Sequence, residues 1–106
     1  MIACIIEFGV KPGQEARHLE LLEPLLTAVQ DVDGFVSKET FESRNIEGKI
    51  ITISYWRDRD AMAAWMKDRD HIVAMVGGKN EVFSHYNIQI AEIEREYSWH
   101  AEARAQ

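Results

Sequence analysis

The sequence predicts an α+β fold, a ferredoxin-like βαββαβ subunit whose four-stranded antiparallel sheet carries both helices on one face. Three observations predict it. Four stretches are rich in β-branched and aromatic residues, two stretches between them step apolar residues at helical intervals, and their order is strand, helix, strand, strand, helix, strand. A chain of 106 residues builds one two-layer core and no second one.

"IACIIEFGV", Ile2 to Val10, is the first strand, and alternation puts Ile6, Phe8 and Val10 on one side and Ile5 and Glu7 on the other. "KPG", Lys11 to Gly13, is a turn into a helix, with Glu15 placed well in the first turn. Leu19, Leu22, Leu26 and Val29 form the apolar stripe of that helix, widened by Leu21, Leu25 and Ala28. Pro24 removes a backbone donor at a cost of about 3 kcal/mol, which predicts a kink or a break into two pieces.

"DVDGF" closes the helix. Phe35 to Arg44 reads as the second strand, "NIEG" (Asn45 to Gly48) as a connection, and "KIITISYWR" (Lys49 to Arg57) as the third strand, paired antiparallel with the second. Asp58 is the N-cap of a helix through "RDAMAAWMK", and Asp68 starts a second short helix that Gly77 and Gly78 end. "KNEVFSH" is a turn or helical stub, and Tyr86 to Tyr97 the last strand. The domain therefore spans 1–97, with an unassigned tail at 98–106.

Two helices cover one face of a sheet. Ile5, Phe35, Phe41, Ile51, Ile53, Ile88 and Ile93 are divided between both faces by strand alternation, so part of this apolar set points away from the helices. A second copy of the chain is the predicted cover, giving a homodimer.

Composition narrows the partners. Eighteen acidic against twelve basic residues leave a net charge of −6 with no basic cluster, which repels nucleic acid and anionic membranes. No apolar run approaches the roughly 18 residues of a membrane helix. The first ten residues lack the basic start of a signal peptide, and the expected location is the cytoplasm. Cys4 is the sole cysteine, so no intrachain disulfide forms; its apolar strand predicts a buried thiol. The four histidines include no pair at helical i, i+4 spacing and no HExxH pattern, and no metal site is predicted.

Taken together, "EFGVKPG", "DGFVSKETFES", "ITISYWRDRDAMAAW", "DHIVAM" and "YNIQIAEI" resemble, in order and spacing, the antibiotic-biosynthesis monooxygenase (ABM) family of the dimeric α+β barrel superfamily. The likeness runs from Ile2 to about Tyr97. It implies a dimer of ferredoxin-like subunits with a pocket between sheet and helices. For some members it implies oxygenation of a quinol or anthrone by dioxygen without metal, flavin or heme.

Two readings stand for Trp65. Burying an indole of about 150 to 250 Å² contributes roughly 4 to 6 kcal/mol by packing alone; the family likeness adds the role of pocket wall. His71 is either a helix-start residue bonded to Asp68 or the base that takes a phenolic proton, a task suited to an imidazole titrating near 6.5. Trp56, Phe83, Tyr86 and Phe8 complete the candidate substrate contacts, each with a core role as its alternative. Glu7 is expected at the dimer seam and Arg57 in pairing with Asp58 or Asp60. His85 is expected at the surface, and His18 and His100 have no neighbours in sequence that suggest a site.

The expected function is oxidation of a small aromatic, quinol- or anthrone-like substrate by dioxygen with no cofactor. Two alternatives accompany it. Heme binding and degradation is disfavoured by Glu7 and Met75, which stand where that branch carries asparagine and histidine. The other alternative is a dimer that binds a small molecule without catalysis.

Overall fold

β1 (Ile2–Val10) is the spine of the sheet, because both of its edges find partners. β3 (Ile50–Trp56) lies on one side, β4 (Phe83–Glu92) on the other, and β2 (Phe35–Glu42) beyond β3. The order β2-β3-β1-β4, with every neighbouring pair antiparallel, is the ferredoxin-like arrangement. The structure, a computed structural model, describes residues 1–68, 77 and 81–102. The helix start predicted at Asp68, its terminator Gly78 and the candidate base His71 all fall on or against the remainder, so that helix and His71 lie outside the described residues.

α1 (Glu15–Ala28) runs through Pro24 as one helix and closes in a 3-10 turn, Val29–Asp31. The predicted break into two pieces does not occur. Leu25 and Val29, just beyond the proline, are 8% and 1% exposed in the core, and burying two such side chains at about 1.5–3 kcal/mol each offsets the proline's cost. The buried stripe also differs from the expected one. Leu21, Leu22 and Leu25 face inward, whereas Leu19 and Leu26 are exposed. A helix inclined over a sheet buries the row that continues to Val29, and that row starts at His18.

α2 (Arg59–Met66) begins as predicted at Asp58, whose Oδ1 accepts the Ala61 N–H at 2.8 Å. It places Ala61, Met62 and Trp65 in one core with Ile2, Cys4 and Trp56. The turn before β2 is locked to the turn before α2. Gly34 has φ +91°, its carbonyl accepts the Arg57 N–H at 2.7 Å, and a Cβ added there would stand 2.5 Å from that of Ala61. Arg57 spans the same junction, bonding Asp33 at 3.1 Å and Asp58 at 3.1 Å.

β4 covers Phe83–Glu92, starting earlier and ending earlier than Tyr86 to Tyr97. A register shift at Gly9/Val10 lets Phe83 pair with Val10, and at the other end the Met1 carbonyl accepts the Ile93 N–H at 3.0 Å. Residues 93–102 form neither helix nor strand, and Tyr97 and Trp99 in that segment are 87% and 74% exposed. Among the described residues no helix is long and apolar enough to cross a membrane.

Candidate functional site

β3 reads Ile-Ile-Thr-Ile-Ser-Tyr-Trp, and the direction of its alternation decides the site. Thr52, Ser54 and Trp56 are buried beneath the helices, while Ile51, Ile53 and Tyr55 stand half-buried on the opposite face. Small hydroxyl residues under the helices leave room that larger apolar side chains would fill. The result is a cavity of about 110 Å³ between the sheet and the two helices.

Its walls differ in chemistry. β1 contributes Cys4, Ile6 and Phe8, and α1 contributes His18 with its leucines. At one end Phe8, Phe83 and His18 form a ring cluster, with centroids 5.4 Å from His18 to Phe8, 5.1 Å from Phe8 to Phe83 and 6.0 Å from His18 to Phe83. At the other end Trp56 stacks on Trp65 at 6.4 Å and 27°, with Phe35 edge-on to Trp56 at 5.3 Å. The third wall is polar. Register sets Lys38 beside Ser54 and Ser54 beside Cys4, with Thr40 beside Thr52 one step along.

These polar groups are tied together. Trp56 Nε1–H donates to Ser54 Oγ at 3.0 Å, and the hydroxyls of Thr40 and Thr52 share a 3.0 Å bond. Burial pushes the Cys4 thiol up in pKa, opposed by the Ser54 hydroxyl and the Lys38 charge. Burial pushes the Lys38 ammonium and the His18 imidazole down, favouring their uncharged forms.

Of the candidate residues, Trp65, Trp56, Phe83 and Phe8 are brought together around this cavity. Tyr86 is not among its lining; it packs edge-on to Phe83 at 6.1 Å and is 38% exposed. Glu7 faces the other side of the sheet and pairs with Lys49 at 3.3 Å. His85 bonds Ser84 at the surface. His18, which has no suggestive neighbours in sequence, lines the cavity, as do Lys38, Thr40, Thr52 and Ser54. For His18 the signal was present: it stands three and four residues before Leu21 and Leu22 and seven before Leu25. For the polar wall there was only the alternation of β3, which is silent on which face the helices take.

Sheet, helices and cavity define an α+β protein of ferredoxin-like fold with a small-molecule-sized hollow between its layers. The chain belongs to the antibiotic biosynthesis monooxygenase family, whose model matches residues 1–76. It is 26% identical over 93 residues to the jasmonate monooxygenase ABM of Pyricularia oryzae, covering 88% of this chain and 43% of that protein. The chain thus spans less than half the length of that relative. Among solved structures it is similar to Rv0793 from Mycobacterium tuberculosis, with a TM-score of 0.79 at 18% identity over 92% of this chain and 98% of that one. It is similar also to SnoaB, a cofactor-independent oxygenase from Streptomyces nogalater, with a TM-score of 0.75 at 13% identity over 90% and 94%. At such identities the structural likeness speaks for the fold alone.

Proposed function

We propose that the chain is a monooxygenase that binds a small aromatic, quinol- or anthrone-like molecule in this cavity and oxidises it with dioxygen. The observation that carries this reading is the pairing of aromatic walls with an inward imidazole: Phe8, Phe83, Trp56 and Trp65 offer faces and edges to a flat ring, and His18 stands at one end of them. Membership of the family and the sequence likeness to a jasmonate monooxygenase support it. His18, held neutral by burial, accepts the phenolic or enolic proton. The resulting anion is electron-rich enough to react with dioxygen. For an anthrone the sum is balanced: a CH₂ and O₂ become a C=O and water, all four electrons taken up by the O₂ coming from the substrate, so no separate reductant or cofactor enters. Trp65 and Trp56 shield one end of the cavity from water.

The decisive experiment is oxygen uptake with dithranol, an anthrone, and with naphthohydroquinone, each measured above its spontaneous rate. His18→Gln should lower kcat by about a hundredfold or more with KM little changed. No acceleration by the wild-type chain on either compound ends the proposal. Full activity in His18→Gln with loss in His71→Ala would transfer the proton to His71, the base expected from sequence.

The same reading includes a homodimer. Ile5, Ile51, Ile53 and Tyr55 are half-buried on the face that carries no helix, and Phe41 there is 45% exposed. An antiparallel sheet solvated on that face would carry polar residues in those places. Sedimentation at micromolar concentration should give the mass of two chains; a single-chain mass refutes the pairing.

A further inference from the structure

We infer that the cavity selects ligands bearing an anionic oxygen, and that Lys38 is the residue that holds it. This deepens the oxygenase reading, and rests on it for the use of the cavity, by naming a preference within the substrate class: small flat aromatic acids are bound more tightly than their neutral counterparts.

The placement of Lys38 sets it apart from the other cations among the described residues. Arg17 pairs with Glu20 and Glu81, Lys49 with Glu7, Arg57 with Asp33 and Asp58, and Arg59 with Glu92. Lys11, Arg44, Lys67 and Arg95 are exposed and need no partner. Lys38 is half-buried in the cavity wall, and among the described residues no carboxylate lines that cavity and no ion pair reaches Lys38. A cation withdrawn from water without a counter-ion is costly, and an incoming anion removes that cost while meeting a full charge at close range.

The surroundings are those of an oxyanion receptor. Ser54, beside Lys38 in the register, already accepts the Trp56 N–H, so its own proton is free to turn toward Cys4 or a ligand. The hydroxyls of Thr40 and Thr52 share one hydrogen bond, which leaves one of their two protons to donate. Donors therefore gather on the β2–β3 side of the cavity. The aromatic rings of Phe8 and Phe83 stand on β1 and β4, toward the opposite edge of the sheet. A ligand with a carboxylate at one end and an aromatic body at the other matches both walls. Burial lowers the ammonium's pKa, and a bound anion would oppose that shift by favouring the charged form.

Salicylate and methyl salicylate make the test, since both keep the phenol and only one carries the carboxylate. By calorimetry at neutral pH, salicylate should bind about ten- to a hundredfold tighter than the ester, the range a charge-assisted hydrogen bond supplies. Lys38→Met should abolish the ratio while leaving ester binding within about twofold, and Lys38→Arg should keep most of it. A merely structural lysine would shift both ligands together. An unchanged ratio in Lys38→Met, or no preference in the wild-type chain, overturns the inference. Oxygen uptake with dithranol separates the two readings: an acid preference lost in Lys38→Met without any uptake keeps the anion site and removes the oxygenase, whereas uptake with an unchanged ratio does the reverse.

Discussion

The indole N–H of Trp56 donates a 3.0 Å hydrogen bond to the hydroxyl of Ser54, two residues back on the same strand and the same face. That bond pins a ring only 1% exposed, whose stacking on Trp65 closes one end of the cavity. Trp56→Phe leaves the Ser54 hydroxyl without its donor and vacates part of a filled volume. The expected loss is about 2–4 kcal/mol of unfolding free energy, read from urea titration with an unchanged m-value. A loss below 0.5 kcal/mol on this order-of-magnitude scale would mean the ring is not fixed by that bond.

His18 makes stability depend on pH in a defined direction. Burial holds its folded pKa below the ordinary 6.5, so the unfolded chain takes up the proton first. Its contribution is complete above about pH 6.5 and is lost as the pH falls through that value toward the lower folded pKa. Solvent reaches part of the ring, so the slope stays below about 1.4 kcal/mol per pH unit. Denaturation at several pH values should show this component in the wild-type chain and not in His18→Leu; the difference cancels the other histidines. The Asp33 carboxyl is held low by Arg57, and that of Asp58 by the Ala61 N–H and Arg57. Their share is present above the ordinary 3.8 and is lost on further acidification, outside the histidine window. Identical slopes in both proteins near pH 6 would contradict the buried placement of the imidazole.

Glycine at 34 and at 48 should respond unequally to alanine. Both have positive φ, +91° and +79°, but an added Cβ at 34 meets that of Ala61 at 2.5 Å, whereas at 48 it meets nothing within 4 Å. Gly48→Ala carries backbone strain alone, about 1 kcal/mol, while Gly34→Ala adds a clash against α2 and should cost about 3 kcal/mol or more. Thermal unfolding of the pair decides it; equal shifts would show that the junction yields.

Pro24 sits inside a helix that does not break. Its replacement by alanine restores the donor to the Glu20 carbonyl and removes the ring's conflict with the preceding turn. Pro24→Ala should therefore raise stability by about 1–3 kcal/mol. A fall in the denaturation midpoint would show that the proline is needed to seat Leu25 and Val29.

Much of the fold was legible in local chemistry. Ile2–Val10 agrees to the residue, Asp58 caps its helix, and the strand–helix order leads directly to the observed sheet. The candidate site was legible only in its rings. Trp56, Trp65, Phe8 and Phe83 announce themselves by size, whereas Lys38 and His18 look like any charged strand residue and any helix residue until something is packed against them.

Periodicity and end signals are properties of a few consecutive residues, so the chain by itself determined which segments become strands and helices, and that β3 has one oily face and one hydroxyl-bearing face. It did not determine which of those faces the helices would cover. That choice belongs to the packing of α1 and α2 on the sheet, since alternation is symmetric until a layer lands on one side. By landing on the side of Thr52 and Ser54, the helices left a hollow instead of a filled core, drew His18 and Lys38 into its wall, and turned Ile51 and Ile53 toward the face that no helix covers.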